Sequence, residues 1–466
     1  MKNALITFGN EESYGLSFVG GELLEHGQQI KFFEGDRGNW LRITDYQPDF
    51  VMFSPMTTFF PKAVELARKL KRAMPKTTVV FGGHHVMADD KVLHNKVIDV
   101  AVKGPVRGSI QQILDGKLGM IVTKPTTPKD LPRPARAEYF RDIPRIAKRY
   151  RKFVLSMLGC PWNCSYCSSS AGHIKRMFGS EAHKNYYTKH RPVQDVIDEV
   201  RTIRSYDTQE IEWVDDDIFA GNERWLLEFF DKWCENFTDT IVDAYSEPQD
   251  VVLPMYVSAT SHSTLKASDE LLRSMKRCVN VVGMGVQAIR PETLKLCNRS
   301  WDAEWKMKKA YDRLISFGYR VNLQGIVGFP VDDPLEDAIE TVMGMQRIGP
   351  GSVCSLYPLM IYPGTRMEEI CKDRRRDPKS IGDTNTGVCD LYHAREKQLK
   401  NLCKLATFAV KYGLPEDLLR VLVNADYADV TESMSMLRYK DCVVDRLGVM
   451  GEAIFDDIVN SMELKF

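Results

Sequence analysis

The sequence predicts an α/β chain in four parts. These are a doubly wound, Rossmann-like parallel sheet over residues 1–118, a Pro-rich linker over 119–150, a second strand–helix alternation over 151–370 and a small helical domain over 371–466. Three observations predict this. Short apolar runs alternate with helical periodicity through the first part and again through the third, the pattern of parallel sheets. Prolines crowd the run Pro125-Thr-Thr-Pro-Lys-Asp-Leu-Pro-Arg-Pro134 between them, where they disfavour helix and regular sheet and favour an extended link. After about residue 371 only helical periodicity remains.

In the first part Ala4–Phe8, Ile30–Phe33, Phe50–Ser54, Val79–Gly83 and Val97–Val102 read as strands, and Leu16–His26 and Pro61–Met74 as helices. Ligands of doubly wound sheets bind beyond the carboxyl ends of the strands. Here those ends carry Gly9-Asn10, Ser54-Pro-Met-Thr-Thr58, Gly82-Gly83-His84-His85 and Gly104. Glycines there turn the chain sharply and let backbone approach a ligand, although each alone reads equally as a turn. In the third part the strands are Phe153–Met157, Ile211–Val214, Met255–Ala259, Val279–Val286, Arg320–Val327 and Val353–Pro358. A helix follows Arg191-Pro192, with Pro near its first turn. In the last part Leu391–Lys411 and Glu416–Val423 are helical, interrupted by Gly413-Leu-Pro415.

The chain has 466 residues and zero formal net charge, with 44% hydrophobic and 27% charged residues. That balance gives no global field toward nucleic acid or an anionic membrane. No apolar stretch approaches the roughly 18 residues of a membrane span. The N-terminal run reads as a buried strand rather than a signal peptide. Eleven cysteines in a chain expected to be cytoplasmic read as metal ligands or buried thiols rather than a disulfide framework.

Three of those cysteines carry the chemistry. Cys160, Cys164 and Cys167 stand in Leu158-Gly-Cys-Pro-Trp-Asn-Cys-Ser-Tyr-Cys-Ser168. A closed electron-transfer cluster takes four cysteines; three hold three irons of a [4Fe–4S] cluster and leave the fourth open to a ligand. Zinc is the competing reading, with His173 as a fourth ligand, but structural zinc favours CxxC pairs in a closed shell.

The run resembles the signature of the radical S-adenosylmethionine enzymes. The resemblance implies a partial (β/α)₆, TIM-like barrel with its site at the carboxyl ends of the strands. It implies that the open iron chelates S-adenosylmethionine, which one electron cleaves to methionine and a 5′-deoxyadenosyl radical. It places Tyr166 near the adenine. It assigns Asp215 and Asp216 of Asp215-Asp216-Asp217 to the methionine ammonium, a role that suits a carboxylate; a hard-cation site or a solvated loop is the other reading of these acids. By position in the family it adds Ser258, Gln287, Arg290 and Gln324 as S-adenosylmethionine residues. Ala288 stands where the family commonly has Ser. Arg191 also matches a family position, with a structural role.

The first part resembles the cobalamin-binding domain that precedes many of these enzymes, through Leu70–His85 with its Val-Val-Phe-Gly-Gly-His-His and through Asp99-Val-Ala-Val-Lys-Gly104. The resemblance implies a cobalamin site built from Gly9, Asn10, Ser13, Tyr14, Ser54, Met56, Thr57, Gly82, Gly83, His84 and Gly104. Two departures stand out. Gly104-Pro-Val-Arg-Gly108 replaces the usual Gly-Glu-Gly-Glu, and Asp-x-His-x-x-Gly, which brings a histidine to cobalt in other cobalamin methyltransferases, is absent. The loop Ser54–Thr58, with Met56, is therefore the segment expected under the corrin.

Together the two resemblances imply a cobalamin-dependent radical S-adenosylmethionine methyltransferase with three cofactors: the [4Fe–4S] cluster, S-adenosylmethionine and cobalamin. Hydrogen abstraction from an unactivated carbon would precede methyl transfer from methylcobalamin. The expected partners are an external electron donor, reduced ferredoxin or flavodoxin, and a substrate peptide or protein; one branch of the family methylates residues of methyl-coenzyme M reductase. The alternatives are a cyclase or rearrangement enzyme acting on a small molecule, lipid or tetrapyrrole, radical chemistry behind a front domain that binds no cobalamin, and a non-enzymatic cobalamin or redox sensor.

Overall fold

The computed structural model describes residues 1–9, 12–35, 38–89, 91–124, 127–185, 187–241, 249–374, 391, 393–424, 453 and 457. The chain forms two compact units, one of Met1–Ser258, Ala267–Asn280 and Tyr362–Glu369, the other of Ala259–Lys266, Val281–Ile361 and Ile370–Phe466.

The first unit opens with a six-stranded sheet: β1 Lys2–Thr7, β2 Gln29–Glu34, β3 Phe50–Phe53, β4 Thr78–Phe81, β5 Val100–Lys103 and β6 Gly119–Val122. The order is β2-β1-β3-β4-β5-β6, all parallel. All four residues of β3 are buried, as in a sheet covered on both faces. Order reverses between β1 and β3, and ligands of such sheets bind outside the carboxyl ends at that switch point. Helix Phe60–Ala73 starts on Pro61, carries Lys71 and Arg72 in its last turn, as the helix dipole favours, and packs Ala63, Val64, Ala67 and Leu70 on the sheet.

The segment expected to be a linker is structured. Residues 119–122 add β6 to the sheet, with Ile121 fully buried. Beyond them, a 3₁₀ turn at Pro128–Asp130 and extended chain through Leu131 respect the prolines. The Ala135 N–H donates to the Ser17 carbonyl at 2.8 Å, and helices Arg136–Asp142 and Pro144–Ala147 follow. The prolines therefore set a docked path rather than a free tether.

The second sheet is the open half-barrel, built from six parallel strands. Strands β7 Arg151–Val154 and β8 Glu210–Trp213 lie in the first unit. A hairpin of β9 Thr238–Ile241 and β10 Gln249–Val252 follows. It precedes β11 Met255–Thr260, which pairs with β8 and belongs to the first unit through Ser258. In the second unit, from Val281, β12 Val279–Gln287 pairs with β13 Arg320–Val327, and β13 with β14 Val353–Pro358. Within the first unit the order is β11-β8-β7, and within the second β14-β13-β12. The described C-terminal helices, Glu396–Tyr412 and Glu416–Val423, belong to the second unit. The first ends on Gly413 in the left-handed region. Arg420 of the second forks onto Glu336 at 2.5 and 2.7 Å. No described helix is long and apolar enough to cross a membrane.

Candidate functional site

A cavity of about 470 Å³ opens at the carboxyl ends of the first sheet, entirely within the first unit. That size lies in the ordinary range for ligand sites. One wall comes from the strand-end loops: Ser54, Pro55 and Met56 after β3, Gly82, Gly83 and His84 after β4, and Gly104 after β5. Ser13 and Tyr14 close that side. The facing wall is Leu155, Met157, Leu158 and Gly159, which lead from β7 into the cysteine loop, with Ser168, Ser169 and Asp216.

The glycines keep the first wall flat. Gly83 has φ +84° and Gly104 φ +101°; a Cβ on Gly83 would lie 2.4 Å from Ser54 Oγ, and one on Gly104 2.3 Å from the Thr123 carbonyl oxygen. Neither position accepts a side chain, so backbone forms the surface there. His84 lines this cavity, and desolvation by its surroundings lowers its pKa. Gly9 and Thr57 stand aside: Gly9 packs beneath Phe59, and buried Thr57 Oγ1 lies 3.4 Å from His85 Nδ1. Asn10 is outside the described residues. Tyr14 gives its ring to the wall, but its hydroxyl is committed to Glu199 at 2.9 and 3.0 Å.

The cysteine loop is tied back on itself. The Cys160 N–H donates to the Ser169 carbonyl, the Cys167 N–H to the Cys164 carbonyl and the Ala171 N–H to the Trp162 carbonyl. None of the three is in a disulfide; Cys160 and Cys164 are buried and Cys167 half-buried. Burial first, then the Asp216 charge, pushes the Cys160 and Cys167 thiols up, so metal must displace protons there. Among the described residues no three metal-binding side chains converge on one point. A mononuclear zinc site requires that convergence, whereas cysteines around a cluster each meet a different iron. His173 Nδ1 donates to the Gly364 carbonyl at 3.0 Å.

The three adjacent aspartates point three ways. Asp215 is buried and accepts from Ser156 N–H (2.8 Å), Met157 N–H (3.0 Å) and Ser156 Oγ–H (2.5 Å); it clamps the root of the cysteine loop instead of facing a ligand. Asp217 accepts from the Trp162 indole at 2.6 Å. Asp216 alone of the three lines the cavity, where burial of its surroundings and then Asp215 push its carboxyl up to about 7. Tyr166 is half-buried inside the loop and Ser258 half-buried near the end of β11; neither lines the cavity.

A relay that sequence reasoning missed completes this side. The Asn222 N–H donates to His190 Nε2 at 3.2 Å, so His190 Nδ1 carries the proton and donates to Ser156 Oγ at 2.8 Å. Ser156 passes its own hydrogen to Asp215. The imidazole stacks on Trp225, centroids 4.0 Å apart, and burial lowers its pKa to about 4. A polar Ser at the end of a buried strand was the available sequence signal; His190 gave none. Replacing His190 with Ala should cost about 1–3 kcal/mol and speed hydrogen exchange at Ser156 and Met157, with His190→Gln restoring most of it. Unchanged exchange in the alanine variant would show that the relay does not hold the loop root.

In the second unit, Gln287 ends β12 at a bulge with φ +67° and reaches back over Gly285. Arg290 precedes helix Pro291–Leu296 as its N-cap. Gln324 lies within β13, three residues before that strand ends, and is half-buried.

Comparison with known protein families matches residues 154–342 to the radical SAM superfamily and residues 41–114 to the B12 binding domain. The chain carries a radical SAM domain and a B12-binding domain, the pairing of the cobalamin-dependent radical S-adenosylmethionine enzymes. Its cofactors are a [4Fe–4S] cluster, S-adenosylmethionine and cobalamin.

This radical S-adenosylmethionine enzyme is 23% identical over 354 residues to an uncharacterized methyltransferase of Pyrococcus horikoshii, covering 70% of each. It is 25% identical over 184 residues to the hopanoid C-3 methylase of Methylococcus capsulatus, covering 34% of this chain and 36% of that one. Its fold is similar to that of the radical S-adenosylmethionine methyltransferase TsrM from Kitasatospora setae, solved with cobalamin and [4Fe–4S] cluster bound (TM-score 0.60, 16% identity, 99% of each chain). It is likewise similar to the cobalamin-dependent S-adenosylmethionine radical enzyme OxsB (TM-score 0.61, 11% identity, 100% of this chain and 75% of that one). The residues present fit these cofactors: three cysteine thiols on one loop for the cluster, and an apolar cavity with side-chain-free glycine edges for a flat macrocycle.

Proposed function

We propose that this enzyme moves a methyl group onto an unactivated carbon of a peptide or protein residue, with the reacting carbon held in the cavity. The observation that carries this reading is the sharing of one cavity by two walls, the strand-end loops of the B12-binding sheet and the strand leading into the cysteine loop. Reacting groups held a few ångströms apart need no diffusive encounter. When bound, the cofactors supply the one-electron cleavage, the hydrogen abstraction and the methyl group.

The chain's own work is placement. Cys160, Cys164 and Cys167 would hold the cluster. Asp216 would accept from the ammonium of S-adenosylmethionine, a cation that favours the charged carboxylate its apolar surroundings resist. Met56, His84 and the Gly82–Gly83 and Gly104 edges would meet the corrin. Tyr166, Ser258, Gln287, Arg290 and Gln324 are proposed S-adenosylmethionine residues, and reduced ferredoxin or flavodoxin the electron source in the cytoplasm. A small-molecule or lipid substrate is the second reading, favoured by the hopanoid methylase among the relatives and by the tryptophan substrate in one TsrM structure.

The test is anaerobic reconstitution with iron, sulfide and cobalamin, followed by turnover of peptide and lipid extracts with S-adenosylmethionine carrying a deuterated methyl. Product bearing the intact labelled methyl supports the reading and identifies the substrate class. Cleavage of S-adenosylmethionine with product that never contains the label points instead to a cyclase or rearrangement enzyme.

Met56 gives a sharper check of the corrin wall. It is 53% exposed, so Met56→Glu leaves the core intact but puts a carboxylate against an apolar ligand face. Cobalamin binding should weaken by about tenfold or more, on the order of 1.4 kcal/mol. Unchanged corrin absorbance per chain after gel filtration takes Met56 out of the site.

A further inference from the structure

We propose that Cys234 and Cys278 form an oxidisable dithiol, a modification site separate from the cluster cysteines, which peroxide converts to a disulfide joining helix Glu223–Phe237 to the junction before β12. The two residues come from different elements of the first unit. Cys234 lies in the last turn of helix Glu223–Phe237, and Cys278 follows helix Asp269–Lys276. These helices pack on each other. An ion pair beside the thiols clamps them in register: Arg277, next to Cys278, donates to Asp231, one turn before Cys234, at 2.5 Å. The two thiols lie close enough to interact. Cys278 is buried, its Sγ 3.6 Å from the Met275 carbonyl oxygen, and Cys234 is half-buried.

The two sulfurs differ in the way a reactive pair requires. Interaction with the Cys278 thiol, and then Arg277, lower the Cys234 thiol to about 7, whereas burial raises that of Cys278. Cys234 is thus the thiolate and Cys278 the proton-bearing partner. The Cys234 thiolate attacks one oxygen of hydrogen peroxide; the O–O bond breaks, hydroxide leaves and takes a proton as water, and a sulfenic acid forms on Cys234. The Cys278 sulfur then attacks the sulfenic sulfur, losing its proton as the S–O bond breaks, and a second water leaves. Overall two thiols are oxidised by two electrons and one peroxide is reduced to two waters. A dithiol reductant returns both thiols by exchange.

The experiment uses the full chain with its cluster reconstituted, treated anaerobically with one equivalent of hydrogen peroxide. Remaining thiols are capped with N-ethylmaleimide and peptides are mapped without reduction. The expected result is a linked peptide pair containing Cys234 and Cys278, formed at peroxide levels that leave bound iron unchanged, and removed by a dithiol reductant. Iodoacetamide labelling of Cys234 should rise with a midpoint near pH 7, and Cys278→Ser should move that midpoint up. Cys234 and Cys278 both recovered as maleimide adducts while iron is already lost, or Cys234 over-oxidised with Cys278 still free, overturns the proposal. The wild-type peptide map decides between these outcomes, so a poorly folding variant does not alter the result, which is also independent of the substrate the enzyme methylates.

Discussion

Cys164→Ala is expected to abolish cluster assembly, with bound iron falling to near background and cleavage of S-adenosylmethionine dropping by roughly 10³-fold or more, about 4 kcal/mol of lost transition-state stabilisation. The loop should persist, because its ties run through backbone: Cys167 N–H to the Cys164 carbonyl and Cys160 N–H to Ser169. Cys164 is a small side chain at 8% exposure, so truncating it leaves little void. The discriminating measurement is iron content beside melting temperature. A variant that melts like the parent but holds no iron places Cys164 on the cluster. One that keeps its iron and still cleaves S-adenosylmethionine refutes the cluster assignment and the proposed chemistry with it.

The second large effect concerns Arg136, which is 1% exposed, donates to Glu12 at 3.0 Å and to the Phe153 carbonyl, and forms an ion pair with Glu199 at 3.0 Å. Glu12 also accepts from the Phe153 N–H at 3.2 Å, and Glu199 takes a second cation, Arg191, at 2.7 Å. The cluster of charges therefore ties the loop after β1, the helix after the prolines, β7 and helix Val193–Arg204 together. Arg136→Met strands the buried Glu12 carboxylate, leaves Glu199 with Arg191 as its one remaining arginine, and should cost about 3–5 kcal/mol at neutral pH.

Its pH dependence follows from Glu12, whose carboxyl burial already raises above its ordinary value of 4.5. Without Arg136 it rises further. A raised carboxyl binds its proton more tightly in the folded state than in the unfolded chain. Stability from that group is thus complete below about pH 4.5 and lost as pH rises through the folded value. The deficit of Arg136→Met should be largest at pH 8 and shrink toward pH 5, as read from urea unfolding at both. A deficit under about 1 kcal/mol with no pH dependence would falsify the view that this cluster holds the two walls in place.

Much of the architecture was legible because its signals are local. Apolar runs marked β1 to β5 and the strands of the half-barrel to within a few residues, and Pro61 and Gly413 marked where helices begin and end. Strand β6 was missed: Gly119–Val122 is short and runs into prolines, and only pairing with β5 makes it a strand. The same local logic singled out the cysteine loop, since three ligands within eight positions report their own spacing. It did not separate Asp215 from Asp216. Composition treats the two acids alike, but neighbouring residues leaving a strand face opposite directions, so one clamps Ser156 and Met157 while the other faces the cavity. Tyr14 shows the same limit, its ring in the wall and its hydroxyl committed to Glu199.

By itself the sequence determined the chemistry on offer: three thiols without a fourth, strand ends edged with glycine, and two parallel sheets to carry them. Those follow from residue type and short spacing. Only the tertiary structure decided that the walls share one cavity, that Asp216 is the acid facing it, that His190 holds the loop root through Ser156, and that Glu12 and Arg136 meet across 124 positions. The reason is physical. Burial and long-range pairing select which polar groups satisfy one another and which remain for a ligand, and neither is encoded in the spacing of neighbours along the chain.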